Sequence, residues 1–93
     1  MVVGSLEIGI LIRESRSLKA RRSVVNSLKD RIRGKFNVSV ADVGDQDVWQ
    51  RTTLGVAIVS NERRFANEVL SKVLDVVGRD PRVEILSQRM SFD

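Results

Sequence analysis

The chain has neither cysteine nor histidine among its 93 residues. Without cysteine there can be no disulfide and no thiolate chemistry, a composition compatible with a reducing cytoplasm. Without histidine, the commonest general base and the commonest transition-metal ligand are both missing. Long apolar runs are missing as well, since no stretch approaches the roughly 18–20 apolar residues of a spanning helix. The N-terminal stretch MVVGSLEIGILIRES is interrupted by Glu7, and no Lys or Arg precedes its apolar run, so it does not read as a secretory signal. The expected location is the cytoplasm, with no membrane partner.

What is present is a soluble, globular composition: 42% hydrophobic and 30% charged residues. Residues 1–93 are expected to form one domain, because domains typically run roughly 100–150 residues. A chain of this size buries about 60–65% of its unfolded surface, which supports one modest core. The charge is unevenly placed. From Arg13 to Lys35 there are nine basic residues against Glu14 and Asp30, a net of +7, while the rest of the chain nets −3. The whole positive excess, and the sequence pI near 10.3, therefore come from one segment.

That segment reads as a helix over 17–36. At 100° per residue, Leu18, Val24, Val25, Leu28 and Ile32 share one face, and Lys19, Arg22, Lys29 and Arg33 share a neighbouring one. Arg21 falls inside the apolar stripe, where its stem is expected to pack while its head snorkels to water. Ser17 is a good N-cap, and Gly34 is a C-terminal signal. Before the helix, Val2 to Arg13 alternates with Leu6, Ile8, Ile10 and Ile12 on one side, the pattern of a strand.

After the helix, Phe36 to Val43 alternates again, slipping at Asp42-Val43 in the manner of a bulge or the end of pairing. Residues 44–50 form a polar loop. Thr52 to Ser60 is a third strand with Leu54, Val56 and Ile58 inward. Asn61 is the expected cap of a second helix, with Phe65, Ala66, Val69, Leu70, Val73, Val76 and Val77 as its stripe and Gly78 at its end. Arg79-Asp80-Pro81 turns the chain, and Arg82 to Met90 offers a weaker last strand. The order βαββαβ predicts a ferredoxin-like two-layer α+β sandwich, an antiparallel sheet with two helices on one face and its first and third strands central.

Several strings along the chain are also similar to a known family: Ser17-Leu18-Lys19, Ser27-Leu28-Lys29-Asp30-Arg31, Phe36-Asn37-Val38-Ser39-Val40-Ala41, Trp49-Gln50-Arg51 and Val59-Ser60-Asn61. Together they resemble the YlxP-like family of small bacterial proteins, which has no assigned function. Asp42 stands where relatives often carry Glu. The resemblance implies a ferredoxin-like fold and a gene often found beside those for ribosome-binding factor A and translation initiation. It implies no catalytic or binding residues.

Four groups of residues carry the functional expectations. The basic helix face reads either as a solvated surface or as an electrostatic footprint for phosphates. In the second reading Lys19, Arg22, Lys29 and Arg33 contact phosphate, with Arg16 and Arg51 as outlying contacts. Trp49 reads as a packing anchor or as a stacking platform for a base. The outer sheet face is expected to carry Gly9, Leu11, Ala41, Gly55, Ala57 and Val59; lacking aromatics, it suits a protein partner or a second copy better than base stacking. Asp42, Asp45 and Asp47 lack the spacing and closing carboxylate of a calcium loop, so no metal is expected. No cofactor is expected either.

Catalysis is not expected, because no motif gathers the Ser, Asp, Glu, Lys or Arg that chemistry would need. The acylphosphatase-like comparison, in which Asn61 could take part, fails at 13–17, which lacks a glycine-rich cradle. The leading expectation is therefore an accessory protein that docks ribosomal RNA or ribosomal particles through its basic helix. The alternatives are a protein–protein or homodimerisation module and, more remotely, an acyl-phosphate hydrolase.

Overall fold

The computed structural model describes residues 1–13, 16–44 and 50–93. The elements follow the order β1 (Val2–Ile12), α1 (Leu18–Lys35), β2 (Ser39–Asp42), β3 (Arg51–Ser60), α2 (Arg63–Gly78) and β4 (Val83–Phe92). One antiparallel sheet has the strand order β2-β3-β1-β4, and both helices lie on the same face. This is the ferredoxin-like arrangement, with the two most apolar strands in the centre.

The core forms because the period-2 stripes of β1 and β3 meet the period-3.6 stripes of the helices. Leu6, Ile8, Ile10 and Ile12 of β1 and Leu54, Val56 and Ile58 of β3 are buried. Val25, Leu28 and Ile32 of α1 and Ala66, Leu70, Val73 and Val77 of α2 close over them. Burying each of the Leu, Ile and Val side chains among them contributes about 1.5–3 kcal/mol. Phe65, expected in the α2 stripe, is instead 53% exposed, because it lies beyond the edge of the face that Ala66 and Leu70 bury.

Helix boundaries differ from the sequence expectation in ways that trace to the caps. Ser17 does cap α1: its Oγ accepts from the Ala20 N–H at 3.0 Å, with extended backbone at φ −162°. At the other end α1 runs through Gly34, and Phe36 leaves in extended conformation while its N–H still bonds Ile32 O. Helix α2 is capped by Glu62 rather than Asn61, without a side-chain cap bond, and the Glu62 N–H is held by Ser60 Oγ at 3.0 Å. Gly78 belongs to the last turn of α2, and Arg79 is the C-cap. Extended exits do not require a left-handed glycine.

The strands differ at the two edges. Strand β2 is only four residues long, its ladder ends at Asp42, and Val43 adds one further bond to Thr53 O at 2.9 Å. Strand β4 reaches Phe92 and carries a bulge: Gly9 pairs with Ser87 and Ile10 with Ile85, leaving Leu86 as the extra residue. Gly9 makes the close approach feasible, since a Cβ there would collide with Ser87 Oγ.

The largest departure is Arg21. Its side chain does not snorkel; it is 2% exposed and its Nη1 lies 3.0 Å from Asp42 Oδ2, which is itself only 11% exposed. Asp42 also accepts from Thr52 Oγ1 and, at 3.2 Å, from the Gly44 N–H. The stripe of α1 faces the end of β2, so the guanidinium meets a carboxylate before it can reach water. Asp42 thus faces the basic helix.

Removing one member of a buried ion pair costs far more than the pair itself contributes. Asp42→Ala should therefore lower unfolding free energy by about 3–5 kcal/mol in urea titrations, and adding Arg21→Leu to that variant should recover part of the loss.

Candidate functional site

Burying Val25, Leu28 and Ile32 rotates the next flank of α1 outward, toward the β2 side of the sheet. Lys29, Arg22, Arg33 and Lys19 fall within about 80° of arc on that flank at 100° per residue. Lys19 and Arg22 are exposed and Lys29 is half-buried. Arg33 fixes the orientation: its Nη2 donates to Val40 O of edge strand β2 at 3.0 Å, and its Nη1 lies 3.7 Å from Asp30, on the exposed surface. The four residues singled out on the helix are therefore brought together, but Arg33 already has structural work.

Some of the cations of the surface are paired and others are not. Arg21, Arg31, Arg33, Arg64, Arg82 and Arg89 each have a carboxylate within 4 Å. Among the described residues, no carboxylate pairs with Lys19, Arg22 or Lys29. Arg16, in the connection before α1, is exposed. Arg51 stands apart: it is exposed on the outer face of β3 opposite Leu11, across the sheet from the helices. Trp49 lies outside the described residues, as do Glu14 and Ser15 of the connection compared with acylphosphatase and Asp45 and Asp47 of the acidic trio. Asp42, the described member of that trio, is occupied by Arg21, Thr52 and Gly44.

A second polar centre was missed in the sequence. Asp80 is 2% exposed and is grasped by Arg82 through Nε to Oδ1 at 2.9 Å and Nη2 to Oδ2 at 2.7 Å. The Arg82 N–H also donates to Oδ1 at 2.9 Å, Arg31 approaches at 3.9 Å, and Arg82 Nη2 donates to Ser27 Oγ at 3.0 Å. This knot ties α1 to the turn between α2 and β4. Its signal was Asp-Pro-Arg after a helix, where an Asp bonds the backbone two residues on; the partnership with Ser27, 55 residues away, has no local signature.

The outer sheet face carries the small residues expected of it. Ser5, Glu7, Ala41, Val43, Gly55 and Ala57 border a shallow hollow of about 450 Å³. Val43 lies over Gly55, where a Cβ would be 3.1 Å from its Cγ1. The face's Glu7 is paired with Arg89, whose Nε donates to Oε2 at 3.1 Å. Among the described residues no helix is long and apolar enough to cross a membrane.

The comparisons with known proteins agree with this picture of the fold. Residues 3–90 match a family described as "Protein of unknown function (DUF503)". The chain is 37% identical over 83 residues to "Uncharacterized protein YlxP" of Bacillus subtilis (strain 168), covering 89% of this chain and 90% of that protein. The chain belongs to this uncharacterised family. Among solved structures it is similar to a de novo designed protein with ferredoxin fold, at TM-score 0.53 and 12% identity, covering 97% of this chain and 85% of the designed one. That likeness concerns the fold alone.

The bonds from Arg82, opposed by burial, hold the Asp80 carboxyl below its ordinary value; the backbone bond and the charges of Arg82 and Arg31 act in the same direction. The unfolded chain therefore binds the proton more readily, so this contribution is complete above the ordinary carboxylate value and is lost as pH falls through the lowered one. Denaturation across an acid pH series should show Asp80→Asn less stable by about 1–3 kcal/mol at neutral pH, with the difference from wild type shrinking on acidification.

Proposed function

We propose that, within the family of unknown function to which it belongs, this chain acts as a docking module for structured RNA, with ribosomal RNA in ribosomal particles as the target. The observation that carries this reading is the unpaired flank of α1. Lys19, Arg22 and Lys29 lie together on this flank, and among the described residues no carboxylate pairs with them. Like charges crowded on one helix flank cost folding stability, and a polyanion offsets that cost on binding. Contacts of this kind give affinity without sequence readout.

The roles follow from position. Lys19, Arg22 and Lys29 contact phosphates, Arg33 supports the flank through Val40 and adds its remaining donors, and Arg16 extends the positive region toward β1. Arg51, on the other side of the sheet, contributes only to a target that wraps the end of the domain. The gene neighbourhood implied by the family resemblance points in the same direction. A protein–protein module without RNA is the second reading, and it draws on the outer face, where Val43 and Val59 are 56% and 66% exposed.

Co-sedimentation with ribosomal particles across a salt series tests the proposal. The wild-type chain should be retained at low salt and released progressively, and the triple variant Lys19→Glu, Arg22→Glu, Lys29→Glu should be lost at the lowest salt. On isolated RNA, each lost phosphate contact should make the plot of log affinity against log salt shallower by roughly 0.7–0.9. Protein left at the top of the gradient at low salt, or a triple variant that binds as wild type does, would overturn the reading in favour of a protein partner.

A further inference from the structure

The two edges of the sheet are treated differently. Strand β2 is short, and its Val40 carbonyl is occupied by Arg33. Strand β4 is ten residues long, lies at the other end of the strand order, and no described strand pairs with its far side. Val3 and Asp93 exchange both main-chain hydrogen bonds, at 3.0 and 2.9 Å, so outward-facing residues of β4 bond toward β1. By alternation, Gln88 and Met90, and before the bulge Ile85, turn their N–H and C=O groups to the open edge.

A bulge normally protects such an edge by breaking its regularity. Here it also sets which residues of the edge share a face. Ahead of the bulge, Val83 and Ile85 face inward and Glu84 outward; after it, Met90 faces inward and Ser87 and Arg89 outward. In a regular strand two positions five apart face opposite ways, but across this bulge Glu84 and Arg89 face the same way. A second copy set antiparallel across this edge meets that pattern throughout, with Val83 opposite Met90, Glu84 opposite Arg89 and Ile85 opposite Gln88 each facing the same way.

We propose that two copies of this chain pair edge to edge through β4, antiparallel about a twofold axis between Leu86 and Ser87. The register sets Ile85 against the partner copy's Gln88, both with edge-directed backbone groups, and Glu84 against Arg89. It is also the register that the charges favour. Glu84 has no cation partner among the described residues, and Arg89 would stand between Glu7 of its own chain and the carboxylate of the opposing copy. Leu86, 50% exposed in the single chain, comes to lie beside the axis with its own counterpart. The result is one continuous sheet with all helices on one side, a closed isologous pair.

Sedimentation velocity of the full chain over a wide concentration range tests this. Wild type should pass from monomer to dimer with concentration. Glu84→Arg alone and Arg89→Glu alone should each weaken association about tenfold or more, because the twofold axis applies every change twice and sets like charges opposite. An equimolar mixture of the two variants should dimerise again, since each opposed pair then joins a cation to a carboxylate; a misfolded variant would not recover on mixing. A wild-type chain that stays monomeric, single variants that associate as wild type does, or a mixture that fails to recover would each overturn the proposal.

Discussion

The inner face of β1 is the constraint on which the rest of the molecule depends. Leu6, Ile8, Ile10 and Ile12 are almost wholly removed from water, and the strand that carries them is paired on both sides, by β3 and by β4. Because their side chains leave one face of a pleated strand, all must be covered from one direction. Both helices therefore gather on that face, and the opposite face is left to a mixture of small and polar residues with Leu11, Val43 and Val59 among them.

Burial alone sets how a helix turns about its axis, but not how it sits along the sheet. Two polar ties supply that information for α1. Arg21 reaches Asp42 at the end of β2, and Ser27 and Arg31 reach the Arg82–Asp80 knot at the start of β4. One tie lies toward each edge of the sheet. Each is directional and would leave a buried polar group unsatisfied if the helix shifted, which is why such ties specify position more sharply than apolar contacts do. With α1 held in this way, its Lys19–Arg22–Lys29 flank is presented on the β2 side, away from the β4 edge. RNA docking and pairing of copies would thus use separate parts of the surface.

Much of this was legible in the chain itself. The alternation of β1 and β3, the helical stripes, the Ser17 cap and the βαββαβ order all follow from local periodicity, and they were sufficient for the ferredoxin-like fold. The segregation of positive charge onto one helix flank was equally visible, because helical spacing alone places Lys19, Arg22, Lys29 and Arg33 together. Asn61, Gly34 and Gly78 misled for a local reason: the structure uses extended or ordinary helical backbone at those ends, so the residues best suited to caps were not needed as caps.

What the sequence determined by itself is the set of faces, since a face is defined by residues a few positions apart on one element. Which faces meet was decided only in three dimensions. Arg21 looks like a snorkelling residue until β2, twenty residues on, brings Asp42 against it; Asp80 looks like a turn residue until Ser27 arrives from α1 to complete its knot. The bulge at Leu86 exists only relative to Gly9 on another strand. Each depends on atoms distant in sequence and adjacent in space, and hydrogen bonds and ion pairs act only over that last short distance.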